Sequence, residues 1–145
     1  MKSPVDENIY CFPSHGNRVL KIDTERNEAY EIGPVIEGRY KFLGGCVDAD
    51  GNVIGVPSDY HSVLKVDVRT GGVKTFGEGC LPPSLRNKWQ GAVLAKNGKI
   101  YCLPANAQGV LIIDSRAESL NIIGSLPETF KKYQGGFLSD HDNCI

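Results

Sequence analysis

The stretch KWQGAVLAKNGKIYCLPANAQGVLIIDSRAESLNIIG, residues 88–124, decides the fold. It reads as four short strands in succession. The first runs from Gly91 through AVLAK. Asn97-Gly98 follows, a dipeptide that tolerates the positive φ angles of a tight hairpin. The second strand is IYCLP, apolar on both faces, as a strand covered on both sides should be. Its terminal Pro104 removes a ladder donor and marks where pairing stops. The third is VLIID, whose Asp114 opens a turn by accepting nearby backbone amides. The fourth is LNIIG.

The rest of the chain is this unit again. Ile9-Tyr10-Cys11-Phe12-Pro13 and Val53-Ile54-Gly55-Val56-Pro57 match Ile100-Tyr101-Cys102-Leu103-Pro104. Ten residues after each Pro comes an Asp closing an apolar run (Asp23, Asp67, Asp114), and ten further on a Gly (Gly33, Gly77, Gly124). The period is about 44 to 47 residues, and the length change falls in the loop 78–90. First strands are read from Gly44, Gly91 and Gly135. No apolar period of 3.6 persists for three turns, so α structure should be minimal.

Composition bounds the function classes. The 145 residues make one ordinary domain, 41% hydrophobic and 23% charged, which is globular rather than disordered. A net charge of -1 gives no electrostatic footprint for nucleic acid or an anionic membrane. No run approaches the ~18 apolar residues of a membrane helix. The start, MKSPVDENIYCFP, lacks the apolar core of a signal peptide. Five cysteines (Cys11, Cys46, Cys80, Cys102, Cys144) include no CxxC pair. Free thiols in a reducing compartment are the expectation, hence a cytoplasmic address.

Four-stranded units at this period are the blades of a β-propeller. VDADGNVIGVPSDYHSVLKVDVRTGGVKTFG resembles blades of the NHL and gluconolactonase-like group. KWQGAVLAKNGKIYCLP with IIDSRAESLNIIGSLP resembles a kelch blade, with Leu103-Pro104 where kelch carries a diglycine. The expected fold is an all-β module of three four-stranded antiparallel blades over residues 1–145. Its units are about 1–43, 44–90 and 91–134, circularly offset, with 135–145 opening a further one. Closed propellers usually have four to eight blades. The chain is therefore read as a piece of a longer propeller, as half of a six-bladed ring of two copies, or as a closed three-bladed ring. Open blade faces predict self-association or a protein partner.

Propellers host enzymes, receptors and scaffolds alike, so function rests on sites. The resemblance implies that the loops from strand two to three and from strand four to one share a face: 14–17, 58–62 and 105–109 with 34–43, 78–90 and 125–134. Two residues after each Pro lie His15, Asp59 and Asn106, with His61 nearby. The resemblance to metal-dependent lactonases implies a divalent cation there, and no other cofactor is expected; solvated loop residues are the plainer reading. A second set recurs as Lys–aromatic–x–Gly: Lys41-Phe42, Lys88-Trp89 and Lys132-Tyr133. Either the ring packs between blades and the Gly allows close strand entry, or Lys41, Lys88 and Lys132 crown the mouth with Trp89 at its edge and hold an anionic or peptide ligand. Asp48 and Asp50 read as hairpin residues, and so do Asp140, His141 and Asp142. Cys80 is the thiol expected to be exposed, without a basic neighbour to activate it. The leading expectation is a binding module, and the competing one a lactonase- or lyase-like hydrolase.

Overall fold

The computed structural model describes residues 1–138. Eleven strands form three antiparallel sheets, with no helix among the described residues. The first sheet holds β1 (Ile9–Cys11), β2 (Val19–Asp23) and β3 (Glu28–Ile32) in that order. The second holds β4 (Phe42–Val47), β5 (Val53–Pro57), β6 (Val63–Val66) and β7 (Val73–Phe76). The third holds β8 (Trp89–Leu94), β9 (Ile100–Pro104), β10 (Val110–Asp114) and β11 (Ser119–Ile123). Each sheet is a meander in which every strand pairs with its sequence neighbour, the layout of a propeller blade. No helix is long and apolar enough to cross a membrane among the described residues.

Local chemistry sets the turns. Asp48 is buried in its hairpin and accepts from the amides of Asp50 and Asn52 at 2.9 and 2.8 Å. Asp23, Asp67 and Asp114 each take backbone amides two or three residues on, at 2.9 to 3.1 Å. Their recurrence is thus turn geometry. The Gly closing each fourth strand has a left-handed φ: Gly33 at 77°, Gly77 at 81° and Gly124 at 80°.

First strands begin earlier than the glycines suggest, at Phe42 and Trp89, and a register shift between Phe42 and Gly45, and again between Trp89 and Ala92, absorbs the extra residue. Gly44 explains the tolerance, because a Cβ there would lie 2.9 Å from the Gly91 backbone of the neighbouring sheet. Residues 135–138 form no strand, and no described strand lies alongside them to supply ladder partners. Ser139 and the SDHDN residues Asp140, His141 and Asp142, with Cys144, lie outside the described residues.

Two apolar layers join the sheets. Tyr10 and Val19 of the first blade meet Phe42, Val53, Leu64 and Val66 of the second. Ile54, Val56 and Val63 of the second meet Trp89, Ile100, Cys102, Leu111 and Ile113 of the third. All five residues of β5 are buried, because the middle blade is covered on both faces. β1 and β9 have equally apolar sequences yet alternate buried and half-buried positions. Each outer blade therefore has one covered and one open face.

Candidate functional site

The strand two-to-three loops and the strand four-to-one loops meet on one face, in a cleft of about 400 Å³. Ser14, Ser58 and Asp59 line it from the first set, and Tyr40, Arg86 and Asn87 from the second, with Phe42 and Leu43. A polar cleft of about 430 Å³ adjoins it, sharing Asp59 and Arg86 and adding Glu37, Arg39 and His61. An ion pair at 3.2 Å between Arg86 and Asp59 thus stands where the two clefts meet.

The recurring lysines point inward. Lys41 is fully buried, and its Nζ donates to the carbonyls of Gly38, Gly16 and Ser14 at 2.8, 2.9 and 3.3 Å. Lys88 is fully buried and donates to Leu85 O at 3.2 Å. Lys132 is half-buried and donates to Thr129 O at 2.8 Å. In each case the ammonium takes the carbonyl three residues back and closes its own loop. Burial lowers the Lys41 pKa, partly offset by Glu37, and pushes Lys88 down to about 8, partly offset by Asp59. Two of the three ammonium groups expected in a cationic crown are therefore spent inside the fold, and the geometry favours the packing alternative for this motif. Trp89, expected at the edge of that crown, is fully buried and donates its indole N–H to Gly109 O at 2.9 Å.

The same motif stitches blades together. Lys41 N–H donates to Ser14 O, Lys88 N–H to Ser58 O and Lys132 N–H to Ala105 O, each on the preceding blade, at 3.2, 3.1 and 2.9 Å. The residue before each Lys is left-handed: Tyr40, Asn87 and Lys131, at φ 50°, 54° and 52°. Asp59 and Asn106 hold two of these, accepting from Asn87 N–H at 2.6 Å and Lys131 N–H at 2.9 Å. Such residues cost of order 1 kcal/mol or more in that conformation, and the acceptors at Asn87 and Lys131 offset part of that cost.

The four proposed metal ligands are not brought together. Asp59 and His61 line one cleft, but the Asp59 carboxylate is engaged by Asn87 and Arg86, and the His61 ring lies against Tyr60, centroids 4.3 Å apart. The exposed His15 ring meets Tyr40 edge-on at 4.3 Å, and Asn106 bridges Arg86 O and Lys131 N–H. Among the described residues no three His, Cys, Asp or Glu side chains gather as a metal site would need. Sequence reasoning missed Tyr40, Leu43, Ser58, Arg86 and Asn87. Tyr40 and Leu43 flank the recurring Lys–aromatic pair in sequence, so their chemistry varies between blades while the pair itself turns inward.

No family model matches the chain, and no curated protein matches it in sequence. Its likeness is to solved structures. A catalytically inactive virginiamycin B lyase from Staphylococcus aureus with quinupristin superimposes with a TM-score of 0.67 at 10% identity, over 86% of this chain and 39% of that one. A streptogramin B lyase gives 0.63 at 11%, over 84% and 38%. A fungal alcohol oxidase in complex with copper gives 0.53 at 13%, over 83% and 28%. The chain thus spans about two fifths of the lyases it matches. Three meander sheets and these neighbours define the fold as β-propeller blades; at such identities the likeness speaks to fold alone.

Proposed function

We propose that the chain is a β-propeller binding module that takes a protein partner, presented as a peptide segment, at its loop face. The observation that carries this is the cleft of about 400 Å³ lined from the first two blades and the loop that enters the third, with its exposed rim of Tyr40 and Leu43 beside Arg86. Tyr40 is 59% and Leu43 46% exposed, although the residues between them, Lys41 and Phe42, are buried. An exposed aromatic and aliphatic pair next to a guanidinium suits a segment with one apolar side chain and a carboxylate. Ser14 and Asn87 supply hydrogen-bonding groups around it, and Ser58 holds Asn87 by a bond from its hydroxyl to Oδ1 at 3.3 Å. The NHL-like and kelch-like character of the blades is part of this proposal, supported by their strand and turn motifs. A reducing, cytoplasmic setting belongs to it as well, supported by Cys11, Cys46, Cys80 and Cys102, which form no disulfide among the described residues.

A displayed random-peptide library panned on the wild-type chain, with counter-selection on a Tyr40→Ser/Leu43→Ser variant, tests the site. Enriched peptides that share an apolar residue near an acidic one, and that the variant does not retain, are expected. A library that enriches equally on both proteins would refute the assignment. The hydrolase alternative makes a different demand: a divalent ion that co-purifies with the chain and is lost on His61→Ala.

A further inference from the structure

The chain makes the same blade-to-blade joint twice and carries both halves of a third. On the first blade, β1 to β3 turn Ile9, Cys11, Leu20, Ile22 and Ala29 away from the second blade, as the cross-strand registers require. On the third, β8 to β11 turn Val93, Tyr101, Ile112, Val110 and Ile123 away from it. These open positions are half-buried or exposed, whereas their counterparts within the chain, such as Val53, Leu64, Ile54 and Val63, are fully buried. The two faces are not alike. One is the kind that receives a preceding blade and the other the kind that receives a following one.

Three details show a joint prepared and unfilled. Gly33 and Gly77 end their fourth strands so tightly against the next blade that a Cβ would lie 2.5 Å from Val73 and 2.2 Å from Leu120. Gly124 has a similar φ, yet no atom of the described residues lies within 4 Å of where its Cβ would be. The Lys132 motif repeats the conformation of its siblings, with Lys131 and Gly135 at φ 52° and 76°, and Lys132 N–H bonded to Ala105 O. The carbonyls of Lys41 and Lys88 also accept from the blade that each lysine opens, from Ser58 and Tyr60 and from Ala105 and Ala107; no such acceptance occurs at Lys132 among the described residues. Tyr133, in the position of the buried Phe42 and Trp89, is 53% exposed.

The first blade has the matching gap. Met1 pairs with Tyr10 through bonds of 2.6 and 2.7 Å, and Lys2 bridges Ile9, in the place where β4 ends in the second blade. Among the described residues, the edge at Cys11 to Pro13, where a first strand should begin, has no ladder partner. Phe42 faces Pro57 and Trp89 faces Pro104 in the other blades. Residues 133–136 of another copy would fill the gap up to Met1, with Tyr133 opposite Pro13.

We propose that two copies of the chain join head to tail, the open face of each third blade packing on the open first blade of the other. Residues 133–136 of each copy add the missing first-strand segment there, an edge addition by β-augmentation. Six blades lie within the range of closed propellers, and both joints form at once about a two-fold axis.

Light scattering of the 145-residue chain tests this. A mass twice the 15.8 kDa of one chain is expected. Leu20→Arg and Ile112→Asp each damage both joints of the ring and should give monomers with wild-type circular dichroism. Mixing the two variants leaves one joint intact and should restore a species of two chains, while Tyr133→Ser weakens the wild-type dimer at least tenfold. A well-folded wild-type monomer would overturn the proposal, as its faces would then be meant for blades of other sequence. A dimer that survives Leu20→Arg would make the contact third blade to third blade, and assemblies larger than two chains would show that the ring does not close. Either overturns it.

Discussion

Lys41 and Lys88 occupy the same position in successive blades, but their substitution by Met should have unequal costs. Met keeps most of the apolar stem and removes the ammonium. At Lys41 this strips donors from Gly38 O and Gly16 O, bonded at 2.8 and 2.9 Å, and the longer bond to Ser14 O. Two good charge-assisted bonds at about 1.5–3 kcal/mol each give about 3–6, and relief of the buried charge brings the net loss to about 2–4 kcal/mol. At Lys88 there is one bond, at 3.2 Å, and burial has pushed the pKa from 10.5 to about 8. That shift means about 3 kcal/mol held against the charged form at neutral pH. Lys88→Met should therefore lie within about 1 kcal/mol of wild type or above it. The pH dependence has a definite sign. A lysine whose folded pKa is lowered leaves the unfolded chain with more bound protons between about pH 8 and 10.5, so its contribution to stability rises with pH across that window, and the advantage of the Met variant shrinks. Urea unfolding followed by fluorescence of the single, buried Trp89 reads both effects. Equal costs at the two sites, or a Lys41→Met variant as stable as wild type, would refute the account of these lysines as loop clips.

Three further outcomes follow from the geometry. Trp89→Ala should cost about 3–5 kcal/mol and Trp89→Phe about 1–2, the latter leaving Gly109 O without its indole donor; thermal melts that put both within 0.5 kcal/mol of wild type would show the ring is not part of the core. Asp6 is held down to about 2, because bonds from Tyr10, Lys21 and Asn8 outweigh the effect of burial, which acts upward. Its contribution is present above about pH 4 and is lost as the pH falls through about 2, so Asp6→Asn should cost about 1–2 kcal/mol at pH 7 and nothing near pH 2; a gap that persists in acid urea titrations would contradict this. Of the four described thiols, exposed Cys80 should react first with a maleimide, and Cys46 and Cys102 not at all in the folded state. Burial raises both of the latter, Cys46 to about 12, so rapid native labelling of Cys102 would be inconsistent with the packing of β9.

The blades were legible because their grammar is local. Pro57 and Pro104 end strands, Asp67 and Asp114 start turns, and Gly77 and Gly124 reverse the chain, each for a reason confined to its neighbours in sequence. Strand starts were less so: Phe42 and Trp89 join their ladders across a register shift, which the flanking Gly44 and Gly91 hide. The direction of a lysine side chain is not local at all. Lys41 and Lys88 recur because their ammonium groups close a loop, and the same recurrence would accompany a ring of ligand-binding cations. Their burial depends on carbonyls brought together by the fold. The candidate site lies in the complementary positions. Tyr40 and Leu43 differ in kind from their equivalents Asn87 and Gln90, and Arg86 comes from the one lengthened loop. Positions that vary between repeats face outward here, while those that recur face the stitching between blades.

The assignment of the loop face turns on which residues hold a ligand. Isothermal titration of a selected peptide into three proteins decides it: wild type, Tyr40→Ser/Leu43→Ser, and Lys132→Ala, the last changing the one recurring lysine that is not fully buried. The cleft account predicts that affinity falls at least tenfold in the double variant and is unchanged in Lys132→Ala. Binding that survives the loss of Tyr40 and Leu43 but not of Lys132 would contradict it.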